Sequence, residues 1–261
     1  MAGCAASPKA PKRIETPAEA HARTGERIAA DPVAFLREVD ERVSRLRQYR
    51  LTFYRQERTG LPPRLGPMEE IRAAFRQEPF SVKFNWDSPD MPYYESVYVQ
   101  GRDDNLLAVR ERKGILPFVP PQVRNMDVML PVKIGKSKNP ITDFGLRRMM
   151  ERTLLPFNIP EIARVMTIRY EGVVGLEPIY RPVFYLRVDR PAGKGMNYAR
   201  QDLYIDAETL LPAGTDLYLP GDILDVRYRY AHVDPNVQLT DADFRLSPAP
   251  PASRPARASA K

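Results

Sequence analysis

Hydrophobic and polar positions alternate with period two along much of this chain, and that alternation predicts a sheet. Val82, Phe84 and Trp86 alternate with Ser81, Lys83 and Asn85 in the clearest such run. Tyr49, Leu51 and Phe53 share a face. Val97 and Val99 lead to a hairpin bend at Gly101, from which Leu107 and Val109 return. Met166, Ile168 and Tyr170 mark one further strand and Phe184, Leu186 and Val188 another, with Gly172, Gly175 and Pro178 as turn residues between them. On the last long strand Leu224, Val226, Tyr228 and Tyr230 lie opposite Asp225, Arg227 and Arg229. Such one-sided alternation predicts an antiparallel sheet with one face toward a core and one toward water.

A helical period replaces it at two places. Asp31 can cap, and Pro32 suits the first position of a helix whose apolar face is Phe35, Leu36, Val39, Val43 and Leu46. Its other face is charged, so one stripe is buried and the rest is surface. A second helix is predicted from about Thr142 to Leu155. Leu146, Met149, Met150, Thr153 and Leu154 recur at helical spacing there, and Pro156 stops it. Residues 68–76 fit either period: Met68, Ile71 and Phe75 suit a helix, Ile71, Ala73 and Phe75 a strand. Pro79 close behind favours the strand. Strands outnumber helices, which makes the fold class α+β, a curved antiparallel sheet with helices laid on it.

Composition divides the chain into three. Residues 1–30 read as an Ala/Pro-rich disordered leader or tether, 31–246 as one domain, and 247–261 as a Pro/Ala-rich disordered tail that cannot pack a core. The formal charge of +7 follows the same division. The first thirty residues carry +2 and the last fifteen +3, so residues 31–246 hold only +2. A nucleic-acid binder needs a basic stripe on the fold itself, and none is indicated. Cys4 is the single cysteine, so no intrachain disulfide is available. No apolar run is long enough to span a bilayer. The N-terminus lacks the charged-then-apolar stretch of a secretory signal, yet Met1-Ala2-Gly3-Cys4 reads like the end of a lipoprotein signal whose apolar part is missing. Cys4 is therefore a lipidation candidate and would tether the domain to a membrane. The competing reading is an Ala-rich leader with a chance cysteine.

Catalytic chemistry finds little to build on. There are two histidines, His21 in the leader and His232 alone after the last strand, so neither a metal site nor a Ser-His or Cys-His pair is indicated. Glu69-Glu70 and Asp103-Asp104 are carboxylate pairs, but the second falls where a hairpin turn favours acidic residues. Gly193-Lys194-Gly195 lies between two strands and reads as a hairpin loop, not a phosphate cradle. Arg227-Tyr228-Arg229-Tyr230 places arginines and tyrosines on opposite faces, the pattern of a half-buried strand. No catalytic residue, metal ligand or cofactor is assigned. What remains is a surplus of aromatic and methionine side chains, of which Met149 and Met150 lie on the helix that would cover the sheet.

Three groups of residues carry a family resemblance. They are Glu78-Pro79-Phe80-Ser81-Val82 with Trp86 and Pro89; Tyr98-Val99-Gln100-Gly101 followed by Leu107-Ala108-Val109; and Tyr204-Ile205-Asp206 with Leu211-Pro212 and the run from Tyr230 to Phe244. Over residues 31–246 the chain resembles a bacterial envelope family of unknown function related to the LolA-like lipoprotein carriers. The resemblance implies an open, incomplete β-barrel whose concave apolar face is covered by helices and receives acyl chains. It brings no catalytic residues. The expected function is non-enzymatic, extracytoplasmic binding of lipid or lipoprotein by a monomeric carrier, receptor or sensor, periplasmic or outer-envelope. The expected groove is lined by Phe53, Phe84, Trp86, Met149, Met150 and Leu186. The alternative is a structural or interaction module of the envelope with a filled interior, and an enzyme ranks third.

Overall fold

A computed structural model describes residues 16–112, 122–190 and 197–247. Two helices, α1 (Pro17–Ala30) and α2 (Pro32–Ser44), precede the first run of strands. These are β1 (Gln48–Thr59), β2 (Arg64–Leu65), β3 (Glu69–Arg76), β4 (Ser81–Trp86), β5 (Tyr93–Val99), β6 (Leu107–Glu111) and β7 (Val123–Met126). Three helices follow, α3 (Leu130–Lys133), α4 (Leu146–Leu154) and α5 (Pro160–Ala163). The chain closes with β8 (Thr167–Leu176), β9 (Arg181–Asp189), β10 (Arg200–Asp206), β11 (Pro212–Leu219) and β12 (Ile223–Asp234).

The strands form one antiparallel sheet ordered β7-β6-β5-β4-β3-β1-β12-β11-β10-β9-β8, with the short β2 paired beside β1. Two meanders thus meet where the first strand pairs with the last, Phe53 opposite Tyr230. The path ends on β7 and β8, so the sheet is open and not a closed barrel. Its curvature follows from what its two halves share. Leu107 on β6 and Gln201 on β10 line one cavity although seven strand spacings separate them, roughly 34 Å in a flat sheet. The fold is the expected α+β arrangement, a bent open sheet with helices on its concave side.

The main core fills that side. Phe35, Leu36, Val39 and Val43 of α2 and Leu146, Met150 and Leu154 of α4 pack with Tyr49, Leu51, Ile71, Phe75, Phe184, Leu186 and Leu203 of the sheet. The α2 face is the predicted one, and Asp31 caps it by accepting the Ala34 N–H at 2.9 Å. Residues 69–76 are a strand. The α4 face also agrees, but the helix begins at Leu146, after a 3-10 turn at Ile141–Asp143. Gly145 causes the delay: its φ of +129° is outside helical space, and a Cβ there would lie 3.1 Å from Phe75 and 3.3 Å from the Tyr49 hydroxyl.

Three expectations are corrected. Residues 17–30, predicted as part of a disordered leader, form α1. Thr16 and Glu19 make a reciprocal capping box, Pro17 fills the first turn, and Gly25 and Ile28 are buried, with the helix lying along β8 and α2. The packed face is narrow, with Ile28 its one large aliphatic side chain, so it carries little hydropathy signal. Residues 1–15, including Cys4, and residues 248–261 lie outside the described residues, as does Gly193-Lys194-Gly195. Second, Gly172 and Gly175 belong to β8 and not to the turn after it; Gly172, at φ +111°, follows the register shift at Tyr170. Third, the convex face is not simply wetted. Val97 and Val99 are covered by Leu239 and Phe244 of the C-terminal segment, whose carbonyls accept from Lys83 (Arg245 O, 2.6 Å) and Arg110 (Ser247 O, 2.6 Å). Farther along, Asp216 and Arg229 are both buried and bonded at 2.7 and 3.0 Å.

Candidate functional site

Between the concave face and the α4 side lies a cavity of about 270 Å³. By the same measure one water needs roughly 10–15 Å³, so the space is some twenty times that. Aromatic and aliphatic side chains line one part of it: Phe53, Phe84, Trp86, Leu107, Val109, Met126, Phe144 and Met149. Strand alternation puts them there. Phe84 and Trp86 are the inward residues of β4, Leu107 and Val109 those of β6, and Met149 projects from α4. The rings order one another edge-to-face. Phe144 lies 4.8 Å from Phe84 and 5.2 Å from Phe53, and Phe84 lies 5.9 Å from Trp86.

Of the six residues expected to line a groove, the structure brings Phe53, Phe84, Trp86 and Met149 together on this cavity. Met150 and Leu186 are not on it. Both are fully buried in the main core: Met150 is one position around the helix from Met149, and Leu186 on β9 packs with the core side chains.

The other part of the lining is polar, and sequence reasoning missed it. Arg55 and Glu57 continue the inward face of Tyr49, Leu51 and Phe53 along β1. Glu57 accepts the Tyr228 hydroxyl and the Lys138 backbone N–H at 3.0 Å. Arg55 donates to Glu69 at 2.7 Å, and the same carboxylate oxygen accepts the Trp86 indole N–H at 3.0 Å. Tyr228 also receives the Asn139 amide at 3.1 Å; burial followed by the nearby Glu57 charge pushes its phenol well above the ordinary tyrosine range. Asp225, expected on the opposite face from Tyr228, is the extra residue of a bulge where the register of β12 slips against β11. It meets Lys138 at 2.9 Å.

On the far side of this polar region, Gln201 of β10 donates to Thr153 of α4 at 3.0 Å and to Thr215 of β11 at 3.2 Å, and accepts from Arg190. Arg152 of α4 reaches Asp143 and, at 2.8 Å, Asn139. Tyr198 completes this end; burial and then the Asp225 charge push its hydroxyl up to about 12. These groups come from widely separated stretches of chain. Only the outward-charge, inward-apolar rule being broken at Arg55 and Glu57 could have signalled them.

The lining holds two carboxylates, Glu57 and Asp143, and each is engaged by neighbours as described. Glu69 and Glu70 take opposite faces of β3, with Glu69 turned to Trp86 and Arg55 while Glu70 pairs across with Tyr54. Asp103 and Asp104 are in the β5–β6 turn at φ +50° and +54°. His232, exposed, is 3.5 Å from the Thr52 hydroxyl on the outer surface. Among the described residues no three His, Cys, Asp or Glu side chains gather as a metal set, and no helix is long and apolar enough to cross a membrane.

A family described as "Protein of unknown function (DUF1571)" matches residues 46–252. No curated protein matches the chain. Among solved structures it is similar to a chain of the Pseudomonas aeruginosa MucA/MucB complex, at 15% identity and a TM-score of 0.47, covering 83% of this chain and 61% of that one. It is similar also to the Mycobacterium tuberculosis lipoprotein LppX, at 11% identity and 0.44, covering 80% and 100%. A LolA superfamily protein from Nitrosomonas europaea matches at 8% identity and 0.26, covering 82% and 96%. The chain spans less than two thirds of the first MucB structures it matches, 61% and 62% of their lengths.

Proposed function

We propose, from the premise that this chain belongs to the DUF1571 family of proteins of unknown function, that it binds lipid in the cavity of its bent sheet. In this reading the protein is a non-enzymatic carrier, receptor or sensor of the cell envelope that takes an acyl chain, free or on a lipoprotein. Its ligand-binding residues are Phe53, Phe84, Trp86 and Met149, together with Leu107, Val109, Met126 and Phe144. Met150 and Leu186 support the wall from behind.

One observation carries the reading: a cavity of about 270 Å³ stays open beside eight apolar side chains that could have packed into it. Each methylene taken out of water there contributes roughly 0.8 kcal/mol, so a chain of modest length gains several kcal/mol before the cost of ordering it. Open space of this size supports a ligand-binding reading over a purely structural module, whose interior would be filled. Among the described residues both lining carboxylates are held by neighbours, which favours binding over acid–base chemistry. Placement in the envelope is part of this proposal and is checked by fractionating cells that express the protein.

Native mass spectrometry of gently purified protein tests the binding. The expected result is co-purified lipid, or uptake of an added fatty acid. Protein that is uniformly empty and ignores acyl ligands overturns the proposal.

A further inference from the structure

The polar end of the cavity is unevenly charged. Arg55, Lys136, Arg152 and Arg190 line it against Glu57 and Asp143. Arg55 is paired with Glu69 and Arg152 with Asp143. Arg190 and Lys136 have no carboxylate partner among the described residues. Lys136 is exposed and can be satisfied by water, but Arg190 is half-buried. A guanidinium offers five N–H donors. Arg190 places one on Gln201 Oε1, a neutral acceptor, and its Nε is buried without a partner. The titratable group that acts on it is the Tyr198 hydroxyl, which burial and the Asp225 charge push up to about 12, so it brings no anion. Burial pulls the Arg190 guanidinium below its ordinary value, the mark of a charge held away from water without a compensating anion. Leaving such a group unpaired beside an apolar space is costly unless something else brings the countercharge.

We infer that Arg190, oriented by Gln201, receives the anionic head of the ligand, a carboxylate or phosphate, while the ring-lined part of the cavity takes its hydrocarbon tail. The inference rests on the lipid-binding reading and adds the ligand's charge to it. A planar guanidinium suits either head through paired N–H donors. Gln201 is a positioning residue, tied on its amide side to Thr153 and Thr215.

Trp86 is the only tryptophan and lines the cavity, so its emission reports occupancy. The full chain, stripped of lipid, is titrated with dodecanol, dodecanoate, dodecyl phosphate and inorganic phosphate. One or both anionic amphiphiles are expected to bind roughly tenfold or more tighter than dodecanol. Arg190→Gln should erase that preference, bringing charged and neutral chains to similar affinity, while Arg190→Lys keeps part of it and controls for folding. Equal affinity for charged and neutral chains, or a preference that survives Arg190→Gln, overturns the inference and leaves the lipid-binding reading intact. Failure of every amphiphile overturns both. Binding of inorganic phosphate alone, lost in Arg190→Gln, overturns the two-ended site in favour of a separate anion site.

Discussion

The Tyr49 hydroxyl accepts the backbone N–H of Leu146 at 2.9 Å, at the first residue of α4 and in the fully buried core. A residue of β1 thus satisfies a donor that the opening turn of every helix leaves without an intrahelical partner. Burial pushes the Tyr49 phenol far up, so it stays a neutral hydroxyl throughout the working range. Gly145 lets the chain pass close above that hydroxyl. Tyr49→Phe keeps the ring, which stacks on Phe75 at 4.8 Å, and removes only the acceptor. It is expected to lower stability by about 1–3 kcal/mol, read from urea denaturation midpoints. Gly145→Ala, which adds a positive-φ penalty and a contact with Phe75, should cost at least as much.

The buried Glu95 carboxylate gives a pH-dependent prediction. It meets Lys83 and Arg110, each at 3.1 Å, and the Ser247 backbone N–H at 2.7 Å, so it pins the C-terminal segment to the convex face. Burial acts to raise its pKa, but the Lys83 and Arg110 hydrogen bonds and the Lys83 charge outweigh it and hold the carboxyl below the usual range. A group whose folded pKa is depressed adds stability above its unfolded pKa, about 4.3 for a glutamate, and that stability is lost as pH falls through the folded value. Glu95→Gln leaves two cations unpaired. It should cost roughly 3–5 kcal/mol at neutral pH and flatten the acid limb of a plot of melting temperature against pH. An unchanged acid limb would show that Glu95 is not a linked group.

Asp216 and Arg229 form the other buried ionic centre, with Arg227 reaching the same carboxylate at 3.2 and 3.3 Å. Gly214 makes room for it, since a Cβ there would come 2.5 Å from the Tyr228 carbonyl and 2.8 Å from the Arg229 side chain. Asp216→Asn strands a buried guanidinium and should destabilise by roughly 3–5 kcal/mol. Replacing both partners, as Asp216→Leu with Arg229→Met, should recover most of that loss, because Arg227 is only half-buried and can reach water. Calorimetric melting of the three proteins decides it; a double variant no better than the single one argues against charge desolvation as the cause.

These centres mark where sequence patterning stops being readable. Period two locates a strand when its inward residues are apolar, as at Val82, Phe84 and Trp86, and it identified the antiparallel sheet, whereas the open form of that sheet was implied only by the family resemblance. It misreads faces where charge is turned inward, at Arg55 and Glu57, and where a bulge reverses Asp225. Periodicity also has no purchase on α1, whose contact face is small. The polar end was hidden for a different reason. Arg190, Tyr198, Gln201 and Arg152 are scattered over about fifty residues of sequence, and only the bending of the open sheet toward α4 makes them neighbours. Met149 and Met150 show the limit of helical spacing, since one position decides between cavity wall and packed core.

The cavity itself can be tested by filling it. Val109 is inward on β6 and borders the open space, so Val109→Phe directs a ring into room that already exists. In a close-packed core such an enlargement costs about 1–3 kcal/mol. Here the added ring should find apolar neighbours in Phe84, Trp86 and Met126, and stability should change by less than that range or rise. Acyl binding should fall by tenfold or more, since the ring takes the space of several methylenes. Paired measurements of melting temperature and of lipid occupancy by native mass spectrometry separate the outcomes. Lower occupancy in a protein that melts no earlier places the ligand among these rings. Unchanged occupancy in an equally stable variant would put the acyl chain somewhere else on the molecule.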